Sequence, residues 1–162
     1  MTRNSCSSRS PSTEARLLVA LLLGLAAQAA SAQSLTSTTP LSFGSFTAGT
    51  GGSITLTSGG GRSKTGGVIL VNQGALATAA QFTMTGTANA TFAITLPADG
   101  TVTLDNGANH MAINVFVSNP SLTGTLSGGG TQVISVGATL TVGNSQVAGN
   151  YTGAFNVTVD YN

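Results

Sequence analysis

Charge is the scarcest resource of this chain. Charged residues make up 6% of it, against about 25% in an average domain. Beyond residue 32 the cations are Arg62 and Lys64, and the anions are Asp99, Asp105 and Asp160. Nucleic-acid binding draws on clustered lysine and arginine, and two cations do not supply it. Tryptophan is absent, and the lone cysteine, Cys6, lies at the N-terminus. The body of the chain therefore forms no disulfide and offers no thiolate for catalysis or metal binding. No segment beyond residue 32 repeats apolar residues at helical spacing over three turns, which argues against helices.

The longest apolar run is "LLVALLLGLAA", Leu17 to Ala27. It is shorter than the roughly 20 residues a spanning helix needs. Arg3, Arg9 and Arg16 precede it, and Ala30-Ser31-Ala32 follows with small residues where a signal peptidase reads them. That order describes a secretory signal, so residues 1–32 are expected to be removed on export, leaving no membrane span. Ala27-Gln28-Ala29 is an alternative cleavage point. Residues 33–40 then form a short N-terminal extension, and 41–162 a single domain, an ordinary length for one fold.

Between scattered glycines the chain is rich in Thr, Val, Ile and Phe, the composition of strands. Short strands are expected near 41–46, 53–57, 68–72, 80–86, 91–96, 101–104, 111–117, 132–142 and 151–161. In "TFAITL" Phe92, Ile94 and Leu96 share one face; in "MAINVFV" Met111, Ile113, Val115 and Val117 do the same. "VILV" at 68–71 reads as covered on both faces, and Gly137 as a split or bulge in 132–142. The last segment, "YTGAFNVTVDY", has the clearest alternation: Tyr151, Phe155, Val157, Val159 and Tyr161 against polar or small neighbours. Asp99-Gly100 and Asn106-Gly107 suit hairpin turns, while "SGGGRSKTGG" and "SGGG" read as loops. The pattern predicts an all-β antiparallel sandwich of about 8–10 short strands.

Candidate chemistry is thin. "SGGGRSKTGG" holds both Arg62 and Lys64, but counting back from Lys64 puts Ser58 and Ser63 where a phosphate loop needs glycine, and no helix follows. A solvated hairpin loop is expected there. "ADGTVTLDNGANH" gathers Asp99, Asp105, Asn106, Asn109 and His110, a candidate weak metal site, yet it lacks the alternating ligands of a calcium loop. The same aspartates invite a glycosidase reading, without the tryptophan that commonly lines such clefts. His110, the sole histidine, has no Gly-x-Ser-x-Gly elbow to serve. Asn89-Ala90-Thr91, Asn150-Tyr151-Thr152 and Asn156-Val157-Thr158 match glycosylation sequons, as chance allows in so threonine-rich a chain. No residue is assigned to catalysis, to a cofactor or to a metal.

Three blocks together carry a resemblance: "LSFGSFTAGTGGSITLTSGGGRSKTGGVILV", "AAQFTMTGTANATFAITLP" and "AGNYTGAFNVTVDYN". In this order they resemble a secreted bacterial family, domain of unknown function forty-four-oh-two, from about Leu41 to Asn162. The ending is also similar to that of spore-coat-U-like domains, subunits of chaperone–usher pili, although those commonly carry cysteines. The resemblance implies an immunoglobulin-like or pilin-like sandwich exported by a Gram-negative bacterium, and it supplies no catalytic residue.

The expectation is an exported, non-enzymatic β-sandwich with a structural or adhesive role, a pilus subunit or surface protein. Its location would be the periplasm, the outer surface or the medium. Partners would be further copies or pilus subunits joined by strand addition. As a donor strand "QSLTSTTPLSF" is poor, because Ser37 and Thr39 interrupt its apolar parity and Pro40 its hydrogen bonding. The alternative is a periplasmic or cell-surface binding module for glycan or metal, motivated by residues 99–110.

Overall fold

The structure is a computed structural model that describes residues 33–162. The expected signal peptide lies outside the described residues. Among the described residues fourteen strands run in chain order: Ser34–Thr39 (β1), Ser42–Phe43 (β2), Phe46–Thr47 (β3), Gly52–Leu56 (β4), Arg62–Gly66 (β5), Ile69–Leu70 (β6) and Ala77–Thr78 (β7). They continue as Ala80–Thr85 (β8), Thr91–Thr95 (β9), Val102–Asn106 (β10), Asn109–Asn119 (β11), Thr123–Thr125 (β12), Thr131–Val142 (β13) and Thr158–Tyr161 (β14). All the pairings are antiparallel. The protein is an all-β sandwich.

β13 organises the main sheet. Its first half pairs with β8 and its second half with β4, while its other edge pairs with β11 along much of its length. β1 extends the sheet beyond β8, β10 beyond β11, and β5 beyond β4. Ile134, Val136, Ala138, Leu140 and Val142 all point inward and are at most 3% exposed. The parity never slips, so β13 is neither split nor bulged at Gly137. That glycine sits where β13 exchanges β8 for β4, and a Cβ there would collide with the Leu56 carbonyl oxygen. The second sheet is smaller, in the order β12–β9–β14.

Between the sheets lie two apolar clusters. One centres on Ile54, Leu56, Met111, Ile113 and Leu140, the other on Met84, Phe92, Ile94, Leu126 and Ile134. Phe116 and Phe155 touch both, with ring centroids 5.2 Å apart. Phe82 meets Phe155 edge-on at 6.2 Å, the geometry that ring quadrupoles favour. Every buried side chain among the described residues is apolar, so the fold rests on burial and packing.

Several local expectations change. β11 does not keep one face throughout: Met111 and Ile113 are buried, but Val115 and Val117 are exposed and Phe116 turns inward. The register slips between Asn114 and Val117, and Val115 adopts a φ of 50°. This is a bulge, and one extra residue inverts the faces of everything after it. The inversion turns a half-buried phenylalanine toward the core in place of two valines. Asp99 holds the bulge by accepting the Val115 N–H at 2.6 Å, and the Asn114 carboxamide oxygen accepts the Gly100 N–H at 2.9 Å.

"VILV" is not covered on both faces. Val68 is buried and Leu70 half-buried, but Ile69 is 58% exposed, because β6 is a two-residue strand paired with β3 near the surface. The segment 41–46 divides into β2 and β3 around Gly44, whose φ is 69°. In the β10–β11 hairpin the central residues are Gly107 and Ala108 rather than Asn106 and Gly107. Gly107, at φ 63°, takes the first central position, where a type II′ turn requires glycine.

Candidate functional site

The last segment is where sequence pattern and ladder part company. Its apolar residues alternate as expected, and Tyr151, Phe155, Val157, Val159 and Tyr161 are all half-buried. Only Thr158–Tyr161 forms a ladder, with β9. Leu96-Pro97 follows β9, and proline has no N–H to continue the pairing. Thr152 instead exchanges two backbone hydrogen bonds with Asp105 at the edge of β10. The segment thus crosses from one sheet to the other. None of the described hydrogen bonds engages the backbone of residues 153–157.

A slot of 260 Å³ opens beside this stretch. One rim is Gly153–Phe155; the other is Ser37–Leu41, the end of β1 and its connection. Its floor is core: Ala80, Val102 and Ile113 line it, and each is at most 8% exposed. Residues 34–39, read from sequence as part of an extension, form β1 and pair with β8, leaving their other edge without a strand.

Charge is placed against this background. Arg62 and Lys64 both lie on β5, an edge strand, Asp105 on the edge strand β10 and Asp160 on the edge strand β14. β12 is an edge only three residues long. Charge and shortness are common means of keeping a sheet edge from pairing. β1, six residues long and uncharged, has neither.

The sequence-level candidates disperse or take structural roles. The glycine-rich loop shrinks to Thr57–Gly61, closing the β4–β5 hairpin; Arg62–Gly66 of "SGGGRSKTGG" is strand and Gly67 a turn. Arg62 is not free in solvent: its guanidinium donates to Ser45 O at 2.6 Å and Val71 O at 3.4 Å. Desolvation lowers its pKa, and its Nε is buried without a partner. Asp99 secures the bulge, away from Asp105. Asp105 faces His110 across the β10–β11 hairpin, with Oδ1 2.5 Å from Nδ1. The His110 hydrogen bond, then that from Thr103, holds the Asp105 carboxyl below its ordinary range. Among the described residues no three His, Cys, Asp or Glu side chains come together as a metal site.

A larger cleft, 860 Å³, lies between residues 41–49 and 145–153. Sequence reading missed it, because its walls are two segments about a hundred residues apart in the chain. Local signals were present in the glycines around Gly44 and Gly49 and in the amide-rich "NSQVAGNY". Gln146 Nε2 donates to Tyr151 Oη at 2.9 Å and to His110 O at 3.4 Å, and Tyr151 Oη donates to Val147 O at 2.8 Å. Side-chain bonds therefore brace this wall.

Fold and surface together define an antiparallel β-sandwich with one uncharged open flank and one uncharged cleft. A family model described as domain of unknown function (DUF4402) matches residues 34–161, and the chain belongs to that family. No curated protein and no solved structure matches it.

Proposed function

We propose that this is an exported, non-enzymatic structural or adhesive protein, built like a pilus subunit and completed by strand addition. One observation carries the reading: the slot between β1 and Gly153–Phe155 joins an apolar floor to two backbone edges without strand partners. An extended segment entering there would satisfy orphan N–H and C=O groups and set alternate apolar side chains onto Ala80, Val102 and Ile113. The distribution of charge supports it, since the long uncharged edge is the one that borders the slot. The chain's own N-terminal segment is already paired with β8, so the donor would come from another subunit, or from a further copy that exchanges its N-terminal segment out of that pairing.

The exported protein is expected to form ordered oligomers that survive mild denaturant, seen by size exclusion with light scattering. Protein that stays monodisperse and monomeric at every concentration, alone and with the products of adjacent genes, overturns the reading. Adjacent genes for a chaperone and an usher are the expected context.

The binding-module alternative loses its original motive. Asp99 and the Asp105–His110 pair serve different parts of the β10–β11 region and converge on no common point. What favours a binding role is the cleft elsewhere.

A further inference from the structure

The cleft between residues 41–49 and 145–153 has the dimensions of a ligand site, within the roughly 300–1,000 Å³ such sites span. Its lining contains no charged side chain. The nearest cation, Arg62, spends its guanidinium on the Ser45 and Val71 carbonyls and so braces the wall from behind. An anionic or cationic ligand would surrender hydration here without gaining a counter-charge. Neutral polar groups remain, from Ser45, Thr47, Gln146 and Asn150, beside the rings of Phe46 and Tyr151.

Those groups differ in availability. The Gln146 amide nitrogen is committed to Tyr151 and His110, which leaves its oxygen as an acceptor. The Asn150 side chain is exposed and engages none of the described hydrogen bonds, so its donor and acceptor are open to a ligand. The walls are fixed beforehand. Ser45 donates its N–H to Ala75 O and accepts from Val71 N–H through its carbonyl, and Ser145, at φ 55°, donates its N–H to Gly49 O at 3.4 Å. A non-glycine residue in that conformation stores strain, which is commonest at binding and switch regions.

We propose that this cleft binds a neutral saccharide. A sugar ring presents hydroxyls that donate and accept around its edge, matching the amides and hydroxyls, and an apolar C–H face that packs on an aromatic ring. Pre-set walls reduce the ordering cost of binding. The site is separate from the strand-addition reading. Asn150 is exposed and lines the cleft and not the slot, so Asn150→Ala leaves the assembly test unaffected, whereas Tyr151 also packs on the first core cluster and its variants are compared for sugar binding alone.

The test is titration of the exported protein with cellotetraose, maltotetraose and chitotetraose, and with trigalacturonate as a charged comparator, followed by amide chemical shifts. At least one neutral oligosaccharide is expected to saturate, with shifts concentrated at residues 44–47 and 145–151. Asn150→Ala is expected to weaken binding at least tenfold at an unchanged melting temperature. Tyr151→Phe, which keeps the ring, is expected to bind more tightly than Tyr151→Ala. Absence of saturable shifts with all three neutral sugars overturns the proposal. So do shifts mapping elsewhere, equal binding of trigalacturonate, or unchanged affinity in Asn150→Ala.

Discussion

β13 and the segment from Tyr151 to Tyr161 carry the same kind of sequence: apart from Gly153, apolar residues at every second position, and, apart from Val133, small or polar ones between. In β13 both backbone edges are paired and the inward residues are sealed. In the terminal segment only Thr158–Tyr161 and Thr152 are paired, and the inward side chains are half-buried. Alternation therefore fixes which way side chains face and says nothing about who will bond the backbone. The strand with partners becomes the centre of the fold, and the strand without them borders the slot.

The comparison breaks first at the core. Leu140→Ala in β13 removes a side chain with 0% exposure, and the lost burial plus the cavity is expected to cost about 3 kcal/mol. Val157→Ala, half-buried over the second cluster, is expected to cost about 1 kcal/mol. Urea unfolding of the two variants measures the difference, and equal losses would mean that the terminal segment is as firmly held as the central strand.

The bulge gives a pair of opposite sign. Asp99→Ala removes the carboxylate that accepts the Val115 N–H and is expected to cost about 1 kcal/mol. Val115→Gly relieves a β-branched residue at φ 50° whose side chain is 56% exposed, and is expected to stabilise by about 1 kcal/mol. Thermal melts of both variants decide whether the parity switch in β11 is strained and held, as the geometry indicates.

The smallest effect is electrostatic. The folded carboxyl of Asp105 is depressed by hydrogen bonds from His110 and Thr103. Its contribution is therefore present above the unfolded pKa, about 4, and is lost as pH falls through the folded value. Asp105→Asn is expected to be slightly less stable than wild type at neutral pH, where the contribution is present. From there down to below about pH 4 the two converge, so that the acid limb of the variant is flatter. Melting temperatures across that range, wild type against variant, measure it.

How much was readable beforehand follows from these cases. Phe92 and Ile94 face inward as their spacing says, because side-chain direction in a strand is set residue by residue. Gly107 turns the β10–β11 hairpin, while Gly100 turns the connection from β9 to β10, which belong to different sheets and form no hairpin as expected; at both a positive φ suits glycine. "MAINVFV" misled, since the parity of residues 115–117 depends on a carboxylate that a loop at residue 99 brings to the bulge. "VILV" misled because coverage depends on which neighbours arrive. The cleft was invisible, for its two walls meet only once the sandwich has formed, and no spacing within either wall announces the other.

The sequence by itself determined a charge-poor chain of alternating strands without disulfides in its body, with its turns and most of its inward residues. These are local consequences of φ, ψ and side-chain direction. Tertiary structure alone decided that β13 is central, that β11 inverts at Val115, that β1 joins the main sheet and that Gly153–Phe155 border an open slot. Backbone pairing joins residues far apart in the chain through groups that every residue carries alike, so side-chain identity leaves little trace of it.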